Sequence, residues 1–239
     1  MMLLAAALAT AALLPGTYTN EEQVYFAAEA GKPVPAWTGI RVTAQGDGYR
    51  VQEVDAYGAA VGADAMWRVI QGEKIVSISS AGCTREFARV AAGLTIVDQR
   101  GICGPGLMTL TPAGMAMKSA DGTVRDMQRG RGFKCWASIP RNVLKDSKPD
   151  WWFKQGLMLH DAGGRVTVTT DEAVPQSFTL RMRNVVWPNG NNAPSLVLYV
   201  HGNDPDHAIA YSWADPLAKR VGINLRTMQG SCTLIEAKS

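Results

Sequence analysis

The sequence predicts an all-β fold, an antiparallel barrel or sandwich that begins with one short helix. Short runs of alternating apolar and polar residues recur at intervals of about 8–12 residues, separated by glycine-rich turns, which is typical of such folds. The content of 46% hydrophobic and 19% charged residues is that of a globular protein with a sizeable core. A chain of 239 residues suits one large β domain or two small ones.

One helix is predicted near the start of the chain. Residues 19–22 (TNEE) have capping-box spacing, in which the Thr19 hydroxyl caps the first turn and Glu22 bonds back to the cap. The helix is expected to run to Gly31, because glycine is favoured just after a helix, and the prolines that begin at Pro33 prevent its continuation.

Strands are predicted after Trp37, where alternation replaces the helical period. Turn residues such as those at 46–48 (GDG) separate the runs. The predicted strands are 38–43, 49–55, 65–70, 74–79, 84–91, 94–98, 107–111, 113–118 and 123–128.

The alternation lapses between residues 140 and 155, where the polar, turn-rich segment 145–150 predicts a loop or linker. We expect a single β-barrel domain over residues 15–239, in which 139–239 complete or flank the barrel. A second small domain is the alternative. Strands are predicted to resume at 165–170, 177–187, 195–201, 208–213 and 221–228.

Charge and motifs exclude several classes of function. The formal net charge of +3 is far from the concentrated basic surface of a nucleic-acid-binding protein, so no nucleic-acid partner is expected. The sequence has no GxSxG, HExxH or P-loop motif and no GxGxxG that opens a helix. Any catalytic residues therefore stay unknown, and no cofactor is predicted.

Residues 1–14 (MMLLAAALATAALL) predict a secretory signal. They carry no charge, are too short to span a membrane, and offer small residues for cleavage at Ala7 and Ala9 or at Ala9 and Ala11. We therefore expect a periplasmic or secreted protein without stable membrane insertion after signal removal. A buried N-terminal helix is the alternative.

Four cysteines suggest two disulfides in an oxidising compartment, and three connectivities are possible. The favoured pairs are Cys83–Cys103, which closes a local loop, and Cys135–Cys232, which ties the end of the chain to its middle. Without export, all four are expected to be buried thiols. No cysteine has zinc-ligand spacing, so no metal site is predicted.

Several short motifs occur in a recognisable order over residues 14–138. They include an Asn-x-x-Gln motif on the helix and an Ile-Arg-Val sequence that ends a strand, and the segments are, in order, 20–23, 40–42, 49–57, Gly82-Cys83, Cys103, Arg129-Gly130-Arg131 and Trp136. This order resembles the CpcT/CpeT family of phycobiliprotein chromophore lyases.

This resemblance implies a calycin or lipocalin-like antiparallel β-barrel whose interior holds a ligand. Because some members of the family attach or carry open-chain tetrapyrroles, it also implies a small hydrophobic or tetrapyrrole-like ligand. If the protein is an enzyme, the resemblance implies a bilin lyase that attaches the chromophore to a partner protein.

Four residues are predicted to contact the polar ends of a ligand. Glu53 and Tyr57 follow one another on an early strand, whereas Arg129 and Arg131 lie on a late one. The planar fork of an arginine pairs with a carboxylate in two parallel bonds, which suits a bilin or another acidic ligand. The alternative places these arginines on a solvated strand face.

Residues 201–207 contain two histidines and two aspartates, all residue types that can bind a metal. Their Gly-Asn and Asp-Pro steps instead predict a surface hairpin turn. His160 and Asp161 are expected at a strand end and its turn for the same reason.

Three functions are carried forward from the sequence. The leading one is an exported barrel protein that binds a small hydrophobic or tetrapyrrole-like ligand. The alternatives are a bilin chromophore lyase and a non-enzymatic envelope protein whose surface binds another protein.

Overall fold

The computed structural model describes residues 13–145 and 148–236, with side chains for all of these except 143–145 and 148–149. This part of the chain contains eighteen β-strands and one short α-helix, so the predicted all-β, antiparallel fold is confirmed. Contacts divide the chain into two compact units, with the boundary between Gly130 and Arg131.

The first unit is a closed antiparallel barrel of ten described strands. From β2 to β10 the strands follow chain order around the ring, and β1 closes it by pairing with both β10 and β2. The helix, α1, spans Glu21–Glu29. The strands are β1 (Gly16–Thr19), β2 (Gly39–Gln45), β3 (Gly48–Val54), β4 (Ala65–Gln71), β5 (Ile75–Ser80), β6 (Cys83–Val90), β7 (Gly93–Gly101), β8 (Gly106–Leu110), β9 (Gly114–Lys118) and β10 (Val124–Gly130).

Apolar side chains fill the barrel interior. Residues directly opposite each other on antiparallel strands point to the same face, so Val42 and Val51 face inward together. The buried interior residues are Leu14, Tyr18, Ile40, Val42, Val51, Trp67, Val76, Ile78, Phe87, Leu94, Leu107, Leu110, Met115 and Met127.

The predicted signal segment, residues 1–14, lies outside the described residues except for Leu13 and Leu14. Leu14 is fully buried in the barrel core, and its carbonyl oxygen lies 3.1 Å from the Tyr18 hydroxyl. The two described leucines are therefore part of the barrel core cluster and its surroundings.

The start of α1 differs from the predicted capping box. Asn20 occupies the N-cap position, and its side chain makes no bond to the helix. Instead its amide donates to the Ala36 carbonyl (2.9 Å) and its Oδ1 accepts from the Thr38 amide (2.7 Å). The Thr19 hydroxyl accepts a 3.3 Å bond from the Glu21 amide. The Asn20 side chain therefore bonds to the segment before β2 and does not cap the first turn of α1.

The second unit contains two four-stranded antiparallel sheets, in the orders β12-β11-β18-β17 and β13-β14-β15-β16. Buried apolar residues from both sheets form one core. The strands are β11 (Gly132–Lys145), β12 (Lys148–His160), β13 (Ala162–Thr169), β14 (Ser177–Val185), β15 (Ser195–His201), β16 (Ala208–Ala214), β17 (Arg220–Asn224) and β18 (Gln229–Leu234).

This second unit differs from the expected domain organisation. The described barrel closes without residues 139–239, whereas the sequence predicts that they complete or flank it within one domain over 15–239. The alternative of a second small domain agrees with the two compact units.

The loop predicted at residues 145–150 is shorter than expected where the structure describes it: β11 runs to Lys145 and β12 begins at Lys148, and these two strands pair on both sides of residues 146–147, which lie outside the described residues. Pro140 lies opposite Trp151 on β12 but beyond residues 133–138, the part of β11 that pairs with β18. Its missing N–H therefore costs no bond to β18, which is why a proline is tolerated there.

Candidate functional site

Three of the four predicted ligand-contacting residues lie in the first unit, and they do not converge. Arg129 lies opposite Tyr18, Tyr18 lies opposite Ile40, and Ile40 lies opposite Glu53. Three strand spacings, about 14 Å, therefore separate the backbones of Arg129 and Glu53.

The local contacts of these residues also differ. The Arg129 Nη2 donates to the Pro15 carbonyl at 2.6 Å, so this guanidinium holds the segment before β1. Glu53 is exposed on β3, and the half-exposed Tyr57 follows in the loop, where its backbone N–H donates to Asp55.

Arg131 belongs to the second unit. Its Nε donates to Oδ2 of Asp161 at 2.6 Å and its backbone N–H to Oδ1 at 2.7 Å. Its Nη2 donates to the Pro216 carbonyl at 2.6 Å. Because Asp161 is buried, this ion pair ties the start of β11 to the turn between β12 and β13.

A cavity of about 650 Å³ opens at the end of the barrel where β6 and β8 begin and β7 and β9 end. We call it the barrel mouth. Its walls combine apolar and polar side chains with two connecting loops. The lining residues used below are Arg85, Ile96, Gln99, Leu107, Met108 and Lys118, with loops 103–106 and 119–122.

Strand register turns Arg85 toward the barrel mouth. It lies opposite Ile78, which is buried in the interior, and opposite Gln99 on β7. Its Nη2 donates to the carbonyls of Gly104 (2.5 Å) and Pro105 (3.2 Å). One edge of the guanidinium therefore holds the loop after β7.

The charge of Arg85 is only partly solvated. Burial lowers the pKa of Arg85, although an arginine stays protonated at neutral pH. Among the described residues no carboxylate forms an ion pair with it. A desolvated cation without an acidic partner is stabilised by an anion that enters the cavity.

Two further charges stand at the barrel mouth. Lys118 ends β9 and is exposed, opposite Gly106 on one side and Val124 on the other. Asp121 accepts a 2.9 Å bond from the Thr123 backbone N–H, which lowers the pKa of this carboxyl. Two cations against one hydrogen-bonded acid leave the mouth with a positive balance.

A disulfide anchors the loop at the barrel mouth. Cys83, at the start of β6, is bonded to Cys103, with 4.8 Å between their Cα atoms. A Cβ on Gly106 would lie 2.9 Å from Cζ of Arg85, so the absence of a side chain there lets the guanidinium reach the loop. Both predicted disulfides are confirmed, the second being Cys135–Cys232 between β11 and β18.

Sequence reasoning missed Arg85, although a signal was present. Arg85 has the same strand parity as Phe87, an obvious core residue, and as Cys83. An arginine at an inward position near a strand end is a candidate for a cavity rim.

The histidine-rich segment is a hairpin turn, as predicted. It connects β15 to β16, and Nδ1 of His207 lies 2.7 Å from Oδ2 of Asp204, which raises the pKa of this exposed histidine. His160 ends β12 and Asp161 forms the turn that follows, also as predicted. Across the part of the chain that the structure describes, no three histidine, cysteine or acidic side chains are grouped to hold a metal ion.

Within residues 13–145 and 148–236, no helix has the length and apolar character needed to cross a bilayer. Comparisons of the chain with protein-family models, with curated proteins and with solved structures find no match. Membership of the CpcT/CpeT family therefore stays a prediction from the motifs alone.

Proposed function

We propose that the first unit binds a small amphiphilic ligand whose carboxylate meets Arg85 at the barrel mouth. The observation that carries this proposal is a partly buried guanidinium, without an ion pair among the described residues, beside a cavity of about 650 Å³. Small-molecule sites have volumes of roughly 300–1,000 Å³ and combine apolar walls with a few polar groups.

The ligand class follows from the walls of the cavity. Ile96, Leu107 and Met108 offer apolar surface to the body of a ligand, and Arg85 and Lys118 offer charge to its acidic end. Fatty acids and tetrapyrroles both combine an apolar body with an acidic end, and the motif resemblance favours a tetrapyrrole-like molecule.

Titration with oleate, haemin and biliverdin, followed by calorimetry, tests this function. At least one should bind, and Arg85→Gln should weaken its binding about tenfold, as expected for a charge-assisted hydrogen bond worth about 1.5 kcal/mol. The same substitution is not expected to affect the binding of oleyl alcohol, the neutral analogue of oleate. Arg100→Gln, at an exposed arginine on the same barrel that already pairs with Glu86, is the matched control.

Equal weakening of oleate and oleyl alcohol by Arg85→Gln would show that the substitution only disturbs the loop. No binding of any of the three probes would favour the envelope-protein alternative, in which the surface of the protein binds another protein. The lyase alternative requires more than binding, namely a covalent bilin on a cysteine of a partner protein.

We also propose that the protein works in the periplasm or outside the cell. Two disulfides support an oxidising compartment, because cytosolic thiols are kept reduced. Intact mass after alkylation without reductant should show four protected cysteines in exported protein. Alkylation of all four in material that still binds ligand would contradict this location.

A further inference from the structure

A second cavity, of about 420 Å³, lies on the second unit and is independent of the barrel mouth. It opens on the outer face of the β12-β11-β18-β17 sheet, because Phe133 and Cys135 point from β11 into the core, while Lys134 and Trp136 alternate with them. We call it the sheet cavity. The lining residues used below are Lys134, Trp136, Phe153, Gln155, Gly156 and Thr233.

A β-bulge at Gly156 builds this cavity. Cys135 lies opposite Leu157, but the next residue, Trp136, lies opposite Gln155, so Gly156 is left over. Its φ of +75° is a conformation that glycine adopts readily and other residues rarely adopt. Since a shift of one residue reverses every later side chain, the bulge turns Gln155 outward while Leu157 stays in the core.

The same bulge brings the Phe153 ring to the outer face, beside Trp136 of β11. The ring centroids of Trp136 and Phe153 are 5.8 Å apart and their planes are tilted by 38°. Phe153 is 56% exposed, so much of this ring is open to solvent. Two tilted rings with open surface provide a wall against which another flat ring can pack.

The polar lining of the sheet cavity favours an anion. Lys134 is exposed on the same face, and no ion pair joins it to a described residue. Gln155 and Thr233 add an amide and a hydroxyl, whereas no aspartate or glutamate lines the cavity. The cavity therefore offers hydrogen-bond donors and positive charge beside apolar rings.

We propose that the sheet cavity binds a small planar aromatic carboxylate. Its ring packs against Trp136 and Phe153, and its carboxylate accepts hydrogen bonds from Lys134 and from the Gln155 amide. The bulge glycine matters because a regular strand would turn Phe153 and Gln155 away from Trp136.

Fluorine NMR of the full chain labelled with 5-fluorotryptophan provides the test. The chain has seven tryptophans, and the Trp136 signal is assigned by its loss in Trp136→Phe. Indole-3-acetate should shift this signal saturably and bind about three- to fivefold more tightly than indole-3-ethanol, the range expected for an exposed ion pair. Lys134→Gln should remove that preference. Phe153→Ala should weaken both ligands about tenfold through loss of ring contact.

Two exposed neighbours on β12 serve as controls. Lys154→Gln removes a lysine on the same strand that does not line the cavity, and Trp151→Phe changes a neighbouring aromatic residue outside it. Neither should alter the affinity. The proposal is overturned if the Trp136 signal does not move at about 10 mM ligand, tenfold above a millimolar Kd. Equal affinity for the acid and the alcohol, or equal effects of Lys134→Gln and Lys154→Gln, also overturns it.

Discussion

The two disulfides close loops of very different length, and their removal should therefore cost different amounts of stability. Their partners are separated by 20 and 97 residues. The chain-entropy relation then assigns about 3.3 kcal/mol to Cys83–Cys103 and about 4.7 kcal/mol to Cys135–Cys232 at 25 °C. The difference of about 1.4 kcal/mol corresponds to tenfold in the unfolding equilibrium.

Urea unfolding of two variants measures these contributions. In one variant Cys83 and Cys103 are both replaced by alanine, and in the other Cys135 and Cys232 are both replaced by alanine. Fluorine signals of 5-fluorotryptophan report on each unit separately. Trp67 is buried in the barrel and reports on the first unit, and the signals of the other tryptophans are assigned by substitution. Wild-type protein unfolded with and without reductant is the control, because reduction removes the cross-links and no side chain. Reduction of both disulfides should therefore lower the free energy of unfolding by about 8 kcal/mol.

The ranking of the two losses decides whether the reasoning holds. Cys135 and Cys232 are also the more buried pair, so lost packing adds to the larger loss and does not reverse the order. A larger loss from Cys83–Cys103 would refute the loop-entropy argument.

Two further predictions concern the second unit. Asp161→Ala should lower the free energy of unfolding by about 3 kcal/mol, because it leaves the Arg131 guanidinium unpaired, whereas Asp64→Ala at an exposed ion pair should leave the urea midpoint unchanged. Burial lowers the pKa of His201, so below the ordinary histidine pKa of about 6.5 the folded state binds fewer protons at this residue than the unfolded state does, and His201 should contribute a fall in stability as the pH is lowered from about 7.5 to about 5.5. His201→Gln should reduce this fall in denaturant titrations at each pH, and an unchanged fall would assign it to other groups.

Much of the barrel could be predicted because its signals are local. Alternation marks an inward and an outward face wherever one side of a strand is buried, and the nine strands predicted between residues 38 and 128 all have observed counterparts. Gly31 follows α1 with a φ of +63°, the conformation for which a glycine was expected there. β1 was missed, since four residues are too few to show a period and its pairing with β10 and β2 defines it.

The predicted ligand residues show where local signals end. Arg129 and Arg131 are two positions apart in sequence, yet the first holds the Pro15 carbonyl and the second is paired with buried Asp161 in the other unit. Alternation placed both on one face of a strand, but it carries no information about which acceptors the fold brings to each guanidinium. Arg85 differs from them, because its inward parity with Phe87 was visible in the sequence, whereas its acceptors in loop 103–106 were not.

By itself, the sequence determined that the chain forms antiparallel strands with a short helix near residue 20, and it favoured the cysteine pairs 83–103 and 135–232 among three possible connectivities. Only the tertiary structure decided that ten strands close a ring before Arg131, that β11 and β12 pair up to Lys145 and from Lys148, and that a bulge at Gly156 turns Phe153 outward. The physical reason is that periodicity and turn preference act over a few neighbouring residues, whereas closure, register and the surroundings of a charge depend on pairing between distant segments.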